Sequence, residues 1–124
     1  MNRLYGLIGF PLGHSFSARY FTEKFQRENL SGYEYRNFPL ESIRELPAML
    51  ENHPGLLGFN VTIPYKQEVI PSLTALSAEA REIGAVNCVK ITPQGLYGHN
   101  TDAYGFRKSL LGLIGPMRPD ALIL

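Results

Sequence analysis

Short apolar runs alternate with segments of helical spacing along most of this chain. The apolar runs predict strands at residues 3–10, 33–38, 56–61, 86–91 and 96–99. Apolar residues three or four positions apart predict helices over about 15–30, 40–50 and 77–83, with a helical turn over 64–70. This alternation predicts an α/β fold, a three-layer sandwich with a mostly parallel, twisted sheet flanked by helices. The short turn at Pro93-Gln94-Gly95 predicts one antiparallel hairpin.

The ends of the helices carry their own signals. Ser15 is the predicted N-cap of the first helix, and Pro47 is expected to break or kink the second. A last helix should open at Asn100-Thr101-Asp102, with an apolar face made by Phe106, Leu110 and Ile114. The apolar residues 121–124 predict a strand at the very end of the chain, which suggests that the sequence stops inside a larger fold.

Composition narrows the class of protein. The chain has 124 residues, of which 44% are hydrophobic and 19% charged, and its net charge is +1. These values are ordinary for one globular domain and do not predict nucleic-acid binding. No segment has the length of a membrane span or the pattern of a signal peptide. Cys88, the single cysteine, fits a buried strand thiol in a reducing compartment, so a cytoplasmic location is expected.

Polar side chains recur just after the predicted strands. They form four clusters: Ser15/Ser17, Asn60/Thr62/Lys66, Asn87, and Asn100/Thr101/Asp102. In open α/β sheets, ligands bind beyond the carboxyl ends of the strands. We therefore expect the four clusters to meet at one edge of the sheet.

Taken singly, each cluster also has a plainer interpretation. Ser15 and Ser17 could seat a small carboxylate at a helix N-terminus, but serine is also the commonest helix cap. Lys66 could transfer a proton with Asp102 as its partner, yet a surface lysine and a capping aspartate would look the same. From local sequence alone, the plainer interpretation is favoured in both cases.

Several other chemistries find no support in the sequence. His14, His53 and His99 are dispersed and have no metal-ligand spacing with Cys88, so no metal site is predicted. No Gly-x-Ser-x-Gly occurs beside a histidine base, which argues against a serine hydrolase. Neither Gly-x-Gly-x-x-Gly nor a Walker sequence is present, so no nucleotide site is expected within this chain.

Four segments together carry a family resemblance. In chain order they are Gly9-Phe10-Pro11-Leu12-Gly13-His14-Ser15-Phe16-Ser17, Phe59-Asn60-Val61-Thr62-Ile63-Pro64-Tyr65-Lys66, Gly84-Ala85-Val86-Asn87 and Asn100-Thr101-Asp102. With this order and spacing the chain closely resembles the N-terminal, substrate-binding domain of the shikimate dehydrogenase family. The resemblance spans nearly the whole chain and is most specific over residues 60–66.

The resemblance implies a two-domain enzyme that reduces 3-dehydroshikimate to shikimate with NADPH, in aromatic amino acid biosynthesis. It implies that Ser15 and Ser17 hold the substrate carboxylate, that Thr62, Asn87 and Asp102 bind ring hydroxyls, that Lys66 with Asp102 is the catalytic acid/base pair, and that Asn60 positions the strand end. Residues 1–103 would form the substrate domain. Residues 104–124 would form an interdomain helix and the first strand of an absent NADP-binding domain, so this chain alone should be inactive.

Two alternatives stay open beside this interpretation. One is a quinate/shikimate dehydrogenase of the same fold, and the other is a carboxylate-binding module without catalysis. The chain also departs from the family pattern, with Ala18 and Tyr20 where proline and histidine are frequent, and His99 where aspartate is common. A homodimer through the C-terminal helix could form, because the absent domain would leave apolar surface uncovered.

Overall fold

A mixed sheet organises the computed structural model, which describes residues 3–13, 16–102, 104–105 and 108. Within these residues six strands form the sheet, in the order β2-β1-β3-β5-β6-β4. Their bounds are β1 Arg3–Gly9, β2 Tyr33–Pro39, β3 Leu56–Val61, β4 Ala75–Leu76, β5 Cys88–Thr92 and β6 Gly95–His99. β5 runs antiparallel to β3 and β6, whereas the other pairings are parallel. The predicted α/β sheet with one antiparallel hairpin is confirmed.

Helices cover both faces of this sheet. The α-helices are α1 Ser17–Arg27, α2 Leu46–Asn52 and α3 Ala78–Ile83, with 3₁₀ turns at Ile43–Glu45 and Ile70–Ser72. On one face, α1 packs Phe21 and Phe25 against a small cluster around Leu7 and Tyr35. On the other, α2 and α3 bury Leu46, Met49 and Ala80 in the larger core. The three-layer arrangement follows from this distribution.

Two of the predicted helices differ from the observed ones. Phe16 occupies the N-cap position of α1, one residue after the predicted cap, and Ser15 lies outside the described residues. Pro47 does not break its helix but stands in the first turn of α2, where a missing amide hydrogen costs least. The segment 64–70, predicted as a helical turn, forms hydrogen-bonded turns that lead into the 3₁₀ turn at Ile70–Ser72.

The strands match the predicted ones to within one residue at each end, except at two places. β5 begins at Cys88 rather than Val86, because the amides of Val86 and Asn87 donate to the carbonyls of Lys66 and His99, at 2.8 and 3.1 Å. β4 was not predicted, since two residues are too short to show periodicity. Ser77, the first residue of the predicted helix 77–83, is the N-cap of α3, and its side chain accepts from the amide of Ala80 at 3.1 Å.

The C-terminal part of the chain is described only over its first turn. The amide of Gly105 donates to the carbonyl of Thr101 at 3.0 Å, and Asp102 stands in helical conformation. The predicted apolar face at Phe106, Leu110 and Ile114, and the predicted strand 121–124, lie outside the described residues. Among the helices that the structure describes, none has the length and apolar character needed to cross a membrane.

Candidate functional site

Three of the four predicted polar clusters, those of Lys66, Asn87 and Asp102, meet at one edge of the sheet because of the strand directions. β1, β3 and β6 end at this edge, and β5, which runs the opposite way, begins there. Thr62 and Lys66 follow β3, Asn87 precedes β5, and residues 100–102 follow β6. The topology therefore brings together segments that lie up to 40 positions apart in the sequence.

Lys66 and Asp102 form an ion pair at this edge. The Lys66 Nζ lies 2.6 Å from Asp102 Oδ2, with 34% and 52% of the two side chains exposed. An ion pair this accessible to water contributes only about 0–1 kcal/mol to stability. Its geometry instead leaves a lysine ammonium held at a fixed place and open to a ligand.

Asn87 connects this ion pair to the end of β6. Its Nδ2 donates to Thr101 Oγ1 at 2.8 Å and to Asp102 Oδ1 at 2.9 Å, and its Oδ1 accepts from the Thr101 amide at 2.9 Å. Asp102 thus accepts on both carboxylate oxygens, one from Asn87 and one from Lys66. These contacts fix the orientation of the carboxylate toward the lysine.

Asn60 lies behind Asn87, on the sheet face covered by α1. Its Nδ2 donates to the Asn87 carbonyl at 3.4 Å, and its Oδ1 accepts from the Tyr35 hydroxyl at 2.8 Å. The Asn87 carbonyl also accepts from the Val61 amide at 2.8 Å. Asn60 therefore holds the start of β5 against the end of β3.

Tyr35 belongs to this network but was not recognised from the sequence. Its ring is only 7% exposed and stacks on Phe21 with centroids 4.7 Å apart. The hydroxyl reaches from β2 across β1 to Asn60, and hydrogen bonding to the Ser17 side chain partly opposes the effect of burial on its pKa. Burial raises the pKa of Tyr35 to about 12. In the sequence it is indistinguishable from a core aromatic of an alternating strand.

The remaining predicted residues lie outside the hydrogen-bonded group formed by Lys66, Asn87 and Asp102. Thr62 lies at the same edge, and its amide donates to the Ile8 carbonyl at 3.0 Å. Asn100 is buried, with its Nδ2 donating to the Ala85 carbonyl at 3.0 Å, so the structure gives it a role in holding the loop. His99 exposes its side chain and uses its carbonyl to bind the Asn87 amide. Ser15 and His14 lie outside the described residues.

Cys88 stands at the first position of β5 and is half-buried, less than the predicted full burial. Desolvation raises the pKa of its thiol, which keeps the group protonated near neutral pH. It borders an apolar cavity of about 370 Å³ on the α1 face, which Tyr35 and Asn60 also line. In the described part of the chain, no group of three or more His, Cys, Asp or Glu side chains is placed to hold a metal ion.

This fold and this edge define a class of protein. An open α/β sheet that gathers neutral donors and a lysine–carboxylate pair at the carboxyl ends of its strands is a small-molecule-binding domain. Residues 7–89 match the family model of the shikimate dehydrogenase substrate binding domain. The chain belongs to the shikimate dehydrogenase family.

Individual relatives agree with this assignment. A shikimate dehydrogenase (NADP(+)) of Clostridium perfringens is 40% identical over 116 residues, which are 87% of this chain and 40% of the relative. The structure of shikimate 5-dehydrogenase from Thermus thermophilus in complex with shikimate is 31% identical, with a TM-score of 0.81 over 96% of this chain and 46% of that one. A 5-ketofructose reductase of Gluconobacter is 30% identical, with a TM-score of 0.81 over 94% and 42%. The chain thus spans less than half the length of these relatives.

Proposed function

We propose that this chain is the substrate-binding half of an NADP-dependent shikimate dehydrogenase, which reduces 3-dehydroshikimate to shikimate. The observation that carries the proposal is the Lys66–Asp102 pair, 2.6 Å apart, in a domain whose family is that of shikimate dehydrogenases. The name of the Clostridium relative supports NADP as the cofactor, and the Thermus complex supports shikimate as the ligand.

In this proposal the protein residues bind and protonate the substrate. Ser15 and Ser17 hold the carboxylate, while Thr62, Asn87 and Asp102 bind the ring hydroxyls, and Asn60 positions Asn87. When bound in the complete enzyme, NADPH would supply the hydride that the ketone carbon needs. The Lys66 ammonium gives a proton to the carbonyl oxygen, which becomes the hydroxyl, and Asp102 keeps the ammonium oriented.

The cofactor itself is assigned to a separate domain. The sequence has no Gly-x-Gly-x-x-Gly, so we assign none of its residues to the nucleotide. We place the substrate domain at residues 1–103 and assign residues 104–124 to the connection toward the cofactor domain. A cytoplasmic location and a homodimer complete the proposal. Quinate acceptance and a non-catalytic carboxylate-binding module remain its alternatives.

Ligand binding by the chain itself tests the proposal. In ¹H–¹⁵N NMR titrations, shikimate should shift the signals of Asn87, Thr101 and Asp102, and Lys66→Ala should weaken binding about tenfold or more. Lys90→Ala is the matched control, because Lys90 is an exposed lysine of β5. Unchanged spectra at saturating shikimate, or a stronger response to 5-ketofructose, would reject shikimate as the ligand.

Catalysis is tested in the complete enzyme. Lys66→Ala should lower kcat by about 10² to 10⁴, the range expected when a general acid is removed. Lys90→Ala should leave kcat within about twofold. If the Lys66→Ala enzyme kept the wild-type kcat, the lysine would have no part in the mechanism. If the wild-type enzyme bound shikimate but did not turn it over, the non-catalytic module would be favoured.

A further inference from the structure

Backbone hydrogen bonds fix the main chain at Lys66 and at Tyr65, the residue before it. The Lys66 carbonyl accepts from the Val86 amide at 2.8 Å. The Tyr65 amide donates to the Thr62 carbonyl, and the Tyr65 carbonyl accepts from the Val69 amide, both at 3.0 Å. The Lys66 side chain therefore leaves a turn whose backbone is closed at Tyr65.

The Tyr65 side chain anchors this turn from the opposite side. Its ring enters the larger core under α2 and α3 and is only 3% exposed. The Tyr65 hydroxyl donates to the carbonyl of Leu40, the residue that follows β2. The Leu40 amide in turn donates to the Gly9 carbonyl at the end of β1, at 3.1 Å. Tyr65 thus ties the turn after β3 to the ends of β1 and β2.

The hydroxyl adds a constraint that an apolar ring cannot supply. Apolar packing has no preferred direction, whereas a hydroxyl bonds a carbonyl only over about 2.5–3.0 Å and a restricted range of angles. The ring is rigid, so the bond to Leu40 limits where the Tyr65 Cα can lie, and the Lys66 Cα is only about 3.8 Å farther along the chain. Because the lysine stem is flexible, the turn and the Asp102 carboxylate together place the ammonium.

We propose that the Tyr65 hydroxyl, through its bond to the Leu40 carbonyl, holds the Lys66 ammonium where it can protonate the substrate oxygen. Tyr65 is then a positioning residue that acts through Lys66. The inference rests on the proposed function, since it takes Lys66 as the proton donor. A misplacement of about 1 Å can cost about 10² in rate, whereas the attraction between an ammonium and a bound ligand weakens gradually with distance. Loss of the hydroxyl should therefore lower kcat rather than affinity.

Tyr65→Phe tests this inference because it removes the hydroxyl and keeps the buried ring. In the complete enzyme, kcat should fall about 5- to 50-fold while KM for shikimate stays within about twofold. In NMR titrations of the chain itself, the Kd for shikimate should also stay within about twofold of the wild type. A role in stability alone would not separate kcat from KM in this way.

A matched core variant controls for lost stability. Tyr65→Phe is destabilising, because the Leu40 carbonyl loses a buried donor. Leu46→Ala also destabilises the larger core, since Leu46 is 1% exposed there, but it removes no hydrogen bond next to Lys66. Measured where circular dichroism shows both variants folded, Leu46→Ala should keep kcat within about twofold of the wild type.

A double-mutant cycle tests whether Tyr65 acts through the lysine. In a Lys66→Ala background, Tyr65→Phe should leave the residual kcat unchanged, because the group that it positions is gone. A substitution that keeps a donor provides the rescue. Tyr65→4-aminophenylalanine retains an N–H at the end of the ring, so its kcat should stay within about threefold of the wild type.

The outcomes separate the inference from the proposed function. Wild-type kcat in Tyr65→Phe, a Kd that rises as much as kcat falls, or an equal loss of kcat with and without Lys66 would each overturn the inference alone. So would a loss of kcat in Leu46→Ala or in the 4-aminophenylalanine variant as large as that in Tyr65→Phe. If Lys66→Ala itself kept the wild-type kcat, the proposed role of the lysine would fall and this inference with it.

Discussion

Tyr35 makes the free energy of unfolding depend on pH in the alkaline range. Burial raises the pKa of this phenol to about 12 in the folded protein, whereas an unfolded tyrosine titrates near 10. Between these values the unfolded chain binds fewer protons than the folded one, so the free energy of unfolding falls as pH rises. The contribution is fully present below pH about 10 and is lost as pH approaches about 12.

We therefore expect the stability difference between wild type and Tyr35→Phe to change with pH. Urea unfolding at pH 8 and at several values above 10 should show the advantage of the wild type shrinking by about 2 kcal/mol toward pH 12. The phenylalanine variant lacks the titrating hydroxyl, so it serves as the reference for the wild type at each pH. A difference that stays constant over this range would mean that Tyr35 is not held neutral by burial.

The sequence identified some residues of the site and not others for a physical reason. Lys66, Asn87 and Asp102 are polar side chains that stand just after or before a strand, and the family resemblance of the segments that contain them is what singled them out. Tyr35 stands inside an alternating strand, where an aromatic side chain is expected for packing. Its contact with Asn60 depends on β1 lying between β2 and β3, and that order is not written in any local pattern.

At the scale of elements, the end of β1 and the turn after β3 constrain each other. A Cβ at Gly9 would stand 2.4 Å from Thr62 Cγ2 and 2.9 Å from the Ile63 carbonyl. The Phe10 amide donates to the same Ile63 carbonyl at 3.1 Å, so the two segments cannot separate freely. Glycine at position 9 is what lets Thr62 approach β1.

Gly9→Ala should therefore disturb both stability and the site. We expect a loss of about 1–3 kcal/mol in the free energy of unfolding, the usual cost of overpacking, and weaker shikimate binding as Thr62 is displaced. Gly55→Ala is the control, since a Cβ there meets nothing within 4 Å. Chemical denaturation and the NMR titration measure the two effects. Unchanged affinity in a destabilised Gly9→Ala protein would remove Thr62 from the binding site.

The elements that sequence reasoning placed well are those with a full period of hydrophobic pattern. β3 agrees with its predicted bounds, and α3 begins one residue after the predicted start and ends at the predicted residue. β4 is two residues long and is held by backbone bonds from Thr74 and Ser77 to β6, so its existence depends on tertiary contact. The 64–70 segment has helical spacing, yet its backbone bonds close separate turns.

At the scale of the whole molecule, the two faces of the sheet carry different tasks. The larger core lies under α2 and α3 and includes Ile8, Leu46 and Val89, each at most 1% exposed. The hydrogen-bond network from Tyr35 through Asn60 to the Asn87 carbonyl lies on the opposite face, under α1. The alternation of side chains along each strand separates these tasks, because successive residues point to opposite faces.

This separation predicts that core stability can be lowered without changing the site. Leu46→Ala removes a side chain that is 1% exposed, so it should cost about 2–5 kcal/mol in the free energy of unfolding. Leu57→Ala removes the same atoms from a residue that is 42% exposed and should cost less than about 1 kcal/mol. Calorimetry measures both changes.

The Kd for shikimate then decides whether the faces are independent. Measured under conditions where Leu46→Ala is still folded, the Kd should equal that of the wild type within about twofold, because the hydrogen bonds that the structure describes at the site join Tyr35 to Asn60 and Asp102 to Lys66 and Asn87, away from α2. Gly9→Ala, with a comparable loss of stability, should weaken binding. If Leu46→Ala weakened binding as much as Gly9→Ala, the affinity for shikimate would follow the overall stability of the protein. The binding site would then depend on both faces of the sheet, and the two faces would not be independent.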